Sequence, residues 1–193
     1  MTWRILLLRT AESQDRSLQQ DNIRSALRAH TADRHQKLDD VCAFDTIAGY
    51  ARFVRQSHSF RAATEDAIPS SVDWTVIPLA DLLAQDLDDL DEPPGAPIPF
   101  PVAPVDPAYW LGVAYVLEGS ALGARLLVRR AVALGFSDAH GARHLAVQAE
   151  TGSRWRDFQS RLEAAPAAAH QAMLAGAAAT FDFALSIYAA NDR

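Results

Sequence analysis

The sequence contains little that would support a disulfide-rich or metal-thiolate protein. Its 193 residues include a single cysteine, Cys42, which excludes an internal disulfide and any zinc site built from several cysteines. A reducing compartment, the cytoplasm, is therefore the simplest expectation. The formal net charge is -6, with acidic and basic residues mixed along the chain, so we expect no broad electrostatic binding to nucleic acid or to anionic membranes.

Long apolar runs free of charge are also missing. The apolar run at residues 5–8 is too short for the core of a secretory signal. The stretch at 109–128 is long enough to cross a bilayer, but it contains Glu118 and Arg125, and each charge is costly at membrane depth. The sequence therefore predicts a buried helix of a soluble protein and no membrane partner.

Sustained two-residue alternation is absent, β-branched residues are sparse and alanine is abundant, which together favour helices over strands. We expect an all-α fold. Helix ends are indicated by Thr46 as an N-cap, by Asp106 followed by Pro107, and by Gly135 as a stop. The predicted helices span 21–42, 46–67, 79–90, 107–134, 153–164 and 166–189.

One domain is expected at 21–193, preceded by a flexible N-terminal extension at 1–20. Seven prolines between residues 91 and 107 exclude a helix there and predict a long loop. A linker between two domains is the alternative, but neither half is large enough to close its own core. The segment between Gly135 and residue 153 is expected to be irregular.

Glycines recur along the predicted helix that starts at Pro107. Gly112, Gly119 and Gly123 fall within about 40° of one another on a helical wheel. Interior helical glycines cost about 1 kcal/mol each relative to alanine, so a stripe of them predicts close approach of another group to the backbone. That group is either a neighbouring helix or a flat ligand.

Two histidines of the first helix, His30 and His35, flank its apolar stripe. A lone histidine beside a core is more often a packing residue than a ligand, and apolar periodicity does not choose between these two. The neighbours favour His35, because Asp39 at i+4 can accept the Nδ1 proton and leave Nε2 for a metal. Arg28 lies on the same face about 10 Å away, within reach of a carboxylate of a wide planar ligand.

A histidine with a supporting acid, an arginine two turns away and a separate glycine-rich helix together suit heme. The segment "LRAHTADRHQKLDD" resembles the proximal helix of heme oxygenases, which carries a threonine four residues before the ligand histidine and an acid four after it. The segment "AYVLEGSALGARLL" resembles their distal helix. The resemblance is strongest to the bacterial members that serve bacterial phytochromes, and it covers roughly residues 21–190.

The resemblance implies a single-domain heme-oxygenase-like helical bundle that binds heme as substrate and cofactor. Such enzymes use O2 and electrons from an external ferredoxin or flavoprotein to form biliverdin, carbon monoxide and ferrous iron. His35 would be the metal ligand. The backbone at Gly119 and Gly123 would steer oxygen toward a bridging carbon of the ring, and Ser120 would hold ordered water for proton delivery. A bacterial phytochrome would be a possible acceptor of the biliverdin.

The same matching implies that Arg28, Tyr115 and Arg156 contact the heme propionates. Arg156 aligns across an irregular segment, and a solvated helix face is its alternative interpretation. The chain departs from some members of the family by having Ser120 where they have an aspartate after the first glycine. It also has Ala124 where others have a further glycine.

Other functions have less support in the sequence. No glutamate is followed by histidine at the Glu-x-x-His spacing of di-iron bundles. His140 and His144 are expected to be surface histidines rather than a metal pair. Phe181 is expected to belong to the core. Three alternatives stay open: a heme carrier or sensor without turnover, a thiaminase-like enzyme that would need Cys42 as a reactive thiol, and a helical interaction module.

Overall fold

The computed structural model describes residues 23–150 and 152–190. The predicted extension at 1–20 lies outside these residues. In the described ranges the protein is helical and has no named strand, so the all-α prediction is confirmed. The helices are α1 (described at 23–41), α2 (Ile47–Ala67), α3 (Ala80–Asp89), α4 (Pro107–Gly119), α5 (Ala121–Ala133), α6 (Arg143–Ala149), α7 (Gly152–Glu163) and α8 (His170–Tyr188), with a 3-10 turn at Ala167–Ala169.

Local capping determines where several helices begin. The side chain of Thr46 accepts a hydrogen bond from Gly49 N, and that of Asp106 accepts one from Ala108 N, with Pro107 in the first helical turn. Both caps satisfy backbone donors that have no partner inside the helix. Gly135 follows α5 with a positive φ of 96°, which glycine adopts without steric cost.

The predicted long helix from Pro107 is divided at Ser120 into α4 and α5. Ser120 keeps helical backbone angles, but Gly123 N donates to Ser120 O at 3.2 Å, an i to i−3 bond. Ser120 Oγ also donates to Leu117 O at 2.6 Å, which competes with the backbone ladder of the helix. The single-helix prediction was therefore wrong at this residue.

The core is formed around the antiparallel neighbours α4 and α8. A Cβ built on Gly112 would stand 2.8 Å from the carbonyl carbon of Met173, and one on Gly176 would stand 2.9 Å from that of Tyr109. These two glycines let the helix backbones meet directly. The described part of α1 packs against the same cluster through Ile23 and Leu27. A second cluster joins α2, α3 and α6.

One helical segment of the described residues, Pro107–Ala133, is long and apolar enough to cross a membrane. This is weak evidence, because the core helix of a soluble protein has the same length and composition. Glu118 within it is buried and its carboxylate accepts hydrogen bonds from Arg154 and Trp74. The packing of α4 in the core therefore accounts for its hydropathy.

The segment predicted to be irregular after Gly135 contains α6. No side chain of its own caps α6. Instead, the Asp86 carboxylate on α3 accepts hydrogen bonds from the backbone of Arg143 at 3.0 Å and of His144 at 3.1 Å. Because the capping residue is more than fifty positions away in the chain, local sequence patterns did not reveal the helix.

Candidate active site

His35 lies on the outer side of α1 and is oriented by an acid one turn later. His35 Nδ1 lies 3.0 Å from Asp39 Oδ2, and the two side chains are 62% and 63% exposed. This contact engages Nδ1 and leaves Nε2 as the nitrogen for a metal. The ring centroid of Phe181 on α8 lies 5.8 Å from that of His35. Phe181 is a buried core residue, as predicted, and it also borders the candidate ligand.

A polar contact joins α1 to α4 one turn before His35. Thr31 is buried, donates to Leu27 O at 2.8 Å and shares a hydrogen bond with the Tyr115 hydroxyl. Burial raises the pKa of Tyr115, and the bond with Thr31 and the positive charge of Arg28 oppose that shift. The charge of Arg28 therefore acts on the phenol of Tyr115, and both residues were predicted to contact carboxylates.

The glycine stripe has two different roles. Gly112 is a packing glycine against α8, which is the first of the two possibilities that the sequence left open. Among the described residues, a Cβ on Gly123 would meet nothing within 4 Å, and one on Gly119 would meet the indole of Trp155, at 3.5 Å. Within these residues the backbone at Gly123 is therefore open, whereas the backbone at Gly119 faces that indole.

Ser120 stands at the break between α4 and α5 with its hydroxyl fully engaged. It donates to Leu117 O, and Gln148 Nε2 on α6 donates to it at 2.5 Å. Behind this bond is a cavity of about 10 Å³, bordered by Glu118, Gln148 and Arg61. The cavity is large enough for one water molecule in a polar setting.

An open cleft of about 500 Å³ separates the start of α5 from α7. Arg156, the third predicted carboxylate contact, is exposed and lines this cleft together with Trp155. The Trp155 ring lies 5.7 Å from that of Tyr115 and also covers Gly119. Sequence reasoning did not single out Trp155, because its neighbours belong to a helix that ends more than thirty residues earlier.

The prediction that His140 and His144 are surface residues was wrong for His144. The side chain of His144 is 3% exposed, and its Nδ1 lies 2.7 Å from Asp86 Oδ2, whereas His140 is exposed. Burial lowers the pKa of His144, and its Nε2 has no hydrogen-bond partner among the described residues. Within the same ranges no group of three or more metal-ligating side chains was found.

Cys42 is half-buried and has no disulfide. Burial, assisted by the negative charge of Asp39, raises the pKa of its thiol to about 12. A thiol with such a pKa is protonated at neutral pH and is a poor nucleophile. The structure thus gives no support to thiaminase-like chemistry at this residue.

The donor set and surfaces of this site fit heme. One imidazole with an engaged Nδ1 is a suitable axial ligand, and the bare backbone at Gly119 and Gly123 suits the face of a porphyrin. Arg28 and Tyr115, whose phenol is influenced by the Arg28 charge, would supply the cationic and phenolic partners that propionates need. His30 has no comparable surroundings: it is exposed, and only its carbonyl accepts a bond, from Arg34 Nη1 at 3.5 Å.

Comparisons with known proteins identify the family of this chain. A family model described as heme oxygenase matches residues 101–190. A heme oxygenase from Xanthomonas campestris pv. campestris is 33% identical over 143 residues, which cover 68% of this chain and 84% of that protein. The crystal structure of the NO- and CO-bound heme oxygenase from Neisseria meningitidis superposes on this chain with a TM-score of 0.65. The match covers 86% of this chain and 89% of the other at 24% sequence identity, and it shows a similar fold. The chain belongs to the heme oxygenase family.

Proposed function

We propose that this protein binds heme between α1 and the break joining α4 to α5, and that it cleaves the ring to biliverdin, carbon monoxide and ferrous iron. The observation that carries the proposal is a chain of contacts. His35 lies one turn after Thr31, whose partner Tyr115 lies one turn before Gly119, where the helix carries no side chain. This arrangement supports a ligand held between the His35 imidazole and the backbone at Gly119.

When bound, the heme supplies the iron at which O2 and electrons are used to open the porphyrin ring. His35 Nε2 would hold the iron, and the Asp39 carboxylate would keep the ring in the tautomer that leaves Nε2 unprotonated. Gly119 and Gly123 would shape the opposite face, since any side chain there would enter the space of the ligand.

Three cationic or phenolic side chains would hold the propionates. Arg28 and Tyr115 lie together at the α1–α4 contact, and Arg156 reaches the cleft from α7. Bidentate guanidinium contacts fix the orientation of a carboxylate as well as its position. These residues would therefore hold the propionate edge of the ring.

Ser120 would take part in proton delivery through water. The Ser120 hydroxyl donates to Leu117 O and accepts a hydrogen bond from Gln148 Nε2. A water molecule must therefore replace one of these partners before Ser120 can pass a proton toward the ligand. The water-sized cavity beside Gln148 is a nearby place for such a molecule.

The electrons would come from a ferredoxin or flavoprotein, the acceptor of biliverdin would be a bacterial phytochrome, and the compartment would be the cytoplasm. A donor surface around Arg28 and Arg34 is the expectation from sequence. In the structure the Arg34 guanidinium contacts both oxygens of Asp182, at 2.8 and 3.2 Å, so its charge is balanced within the chain. Arg34 is therefore a weaker candidate for donor binding than the sequence indicated.

Aerobic incubation of the hemin complex with a reductant, followed by chromatographic identification of the pigment, tests the proposal. We expect a green product identified as biliverdin, with carbon monoxide released. Hemin binding that depends on His35 but gives no green product would favour a carrier or sensor. Failure to bind hemin would favour a helical interaction module.

A further inference from the structure

Trp155 contacts both ends of the proposed heme site. Its Cη2 atom lies 3.5 Å from the position of a Cβ on Gly119, on the proposed distal backbone. Its ring centroid lies 5.7 Å from that of Tyr115, which stands at the propionate end beside Arg28. A single indole therefore spans the distance between the propionate contacts and the distal backbone.

The indole packs against a buried ring of its own helix. The ring of the fully buried Phe158, one turn later on α7, lies 6.1 Å from it. On the other side is the open cleft of about 500 Å³, which Trp155 lines together with Arg156. Trp155 thus separates Gly119 from the open cleft, which has room for part of a ligand.

We propose that Trp155 is a specificity-determining residue that covers the sector of the porphyrin nearest the propionates. This inference rests on the proposed function. A porphyrin is nearly square, so the propionate contacts alone leave it some freedom to rotate in its plane. A rigid indole beside Gly119 removes that freedom and leaves the bridging carbon away from the propionates as the accessible position. Without the indole, the ring can turn toward the cleft and present a second bridging carbon.

The test compares Trp155→Leu with Trp155→Phe and with the matched control Trp74→Leu. Trp74 is also partly buried and its ring lies 4.9 Å from Phe158, but it is not among the atoms nearest Gly119. The first readout needs no turnover: the paramagnetically shifted heme-methyl signals in the proton NMR spectrum of the cyanide-ligated ferric complex. The second is the isomer composition of biliverdin formed with a chemical reductant.

We expect Trp155→Leu to change which ring methyls carry the largest shifts, because the ring has rotated in its plane. The ratio of major to minor biliverdin isomer should fall by about tenfold or more, the range that small changes in an apolar pocket produce. Trp155→Phe should restore most of the wild-type pattern, and Trp74→Leu should keep it.

Unchanged methyl shifts in Trp155→Leu would overturn the inference, and so would an equal change in Trp74→Leu. If the wild type binds hemin but forms no pigment, the proposed activity fails. The methyl shifts of the ferric complex still decide the role of Trp155 in that case, because they depend on binding alone.

Discussion

Replacing Gly112 with alanine should destabilise the fold, whereas the same change at Gly123 should stabilise it. A Cβ on Gly112 would stand 2.8 Å from the Met173 carbonyl carbon and 2.9 Å from Ala177 N, where about 3.5–4.0 Å is needed. Both obstructing atoms are backbone, so α4 and α8 would have to separate. A Cβ on Gly123 meets nothing within 4 Å.

The sizes of the two effects follow from these contacts. Overpacking of a core typically costs about 1–3 kcal/mol, and a clash against backbone belongs at the upper end. Alanine recovers about 1 kcal/mol of helix propensity, so Gly112→Ala should lose about 2 kcal/mol and melt roughly 4–8 °C lower. Gly123→Ala should gain about 0.5–1 kcal/mol and melt a few degrees higher.

Urea and thermal unfolding of the heme-free proteins, followed by hemin titration, test both predictions. Gly123→Ala should bind hemin about tenfold more weakly, which corresponds to ~1.4 kcal/mol, because its methyl group occupies the proposed ligand face. Wild-type stability of Gly112→Ala would refute the packing role of that glycine. Wild-type hemin affinity of the folded Gly123→Ala variant would refute direct approach of the ligand to the distal backbone.

Three further predictions concern the axial histidine, the buried histidine and a helix cap. Asp39→Ala should weaken hemin binding, because the contact that orients His35 is lost. The free energy of unfolding should stay within about 0.5 kcal/mol of the wild-type value, because the Asp39 side chain is mostly exposed. An unchanged absorbance titration with hemin would contradict the orienting role of Asp39. His144 has a lowered pKa in the folded protein, so the unfolded chain binds more protons and stability should fall as the pH drops through about 6.5 toward the lower pKa of the folded state, by at most about 1.4 kcal/mol per pH unit. His144→Asn, which keeps a donor for Asp86, should remove that slope in urea unfolding measured across this range, and an undiminished slope would assign it to another group. Thr46→Ala should lower the free energy of unfolding by about 1 kcal/mol, because the hydrogen bond from Gly49 N to the Thr46 hydroxyl at the start of α2 is lost. A change below about 0.3 kcal/mol would show that this hydrogen bond contributes little.

The helices were predictable where their determinants are local. Thr46, Asp106 with Pro107, and Gly135 mark helix ends through interactions within a few residues, so the chain itself carries that information. The contact between His35 and Asp39 follows from the i, i+4 spacing of any α-helix, which is why His35 could be proposed as the axial ligand from the sequence.

Contacts between helices decided the rest. The spacing of Gly112, Gly119 and Gly123 puts them on one stripe, but only the position of α8 makes the first a packing residue and leaves the others open. The N-terminus of α6 depends on Asp86, and the distal wall depends on Trp155 of α7, both far away in the chain. The sequence thus determined the locally capped helix ends and the candidate histidine with its supporting acid, because those depend on neighbours along the chain. Only the tertiary structure decided which surfaces are covered, because that depends on which helix packs against which.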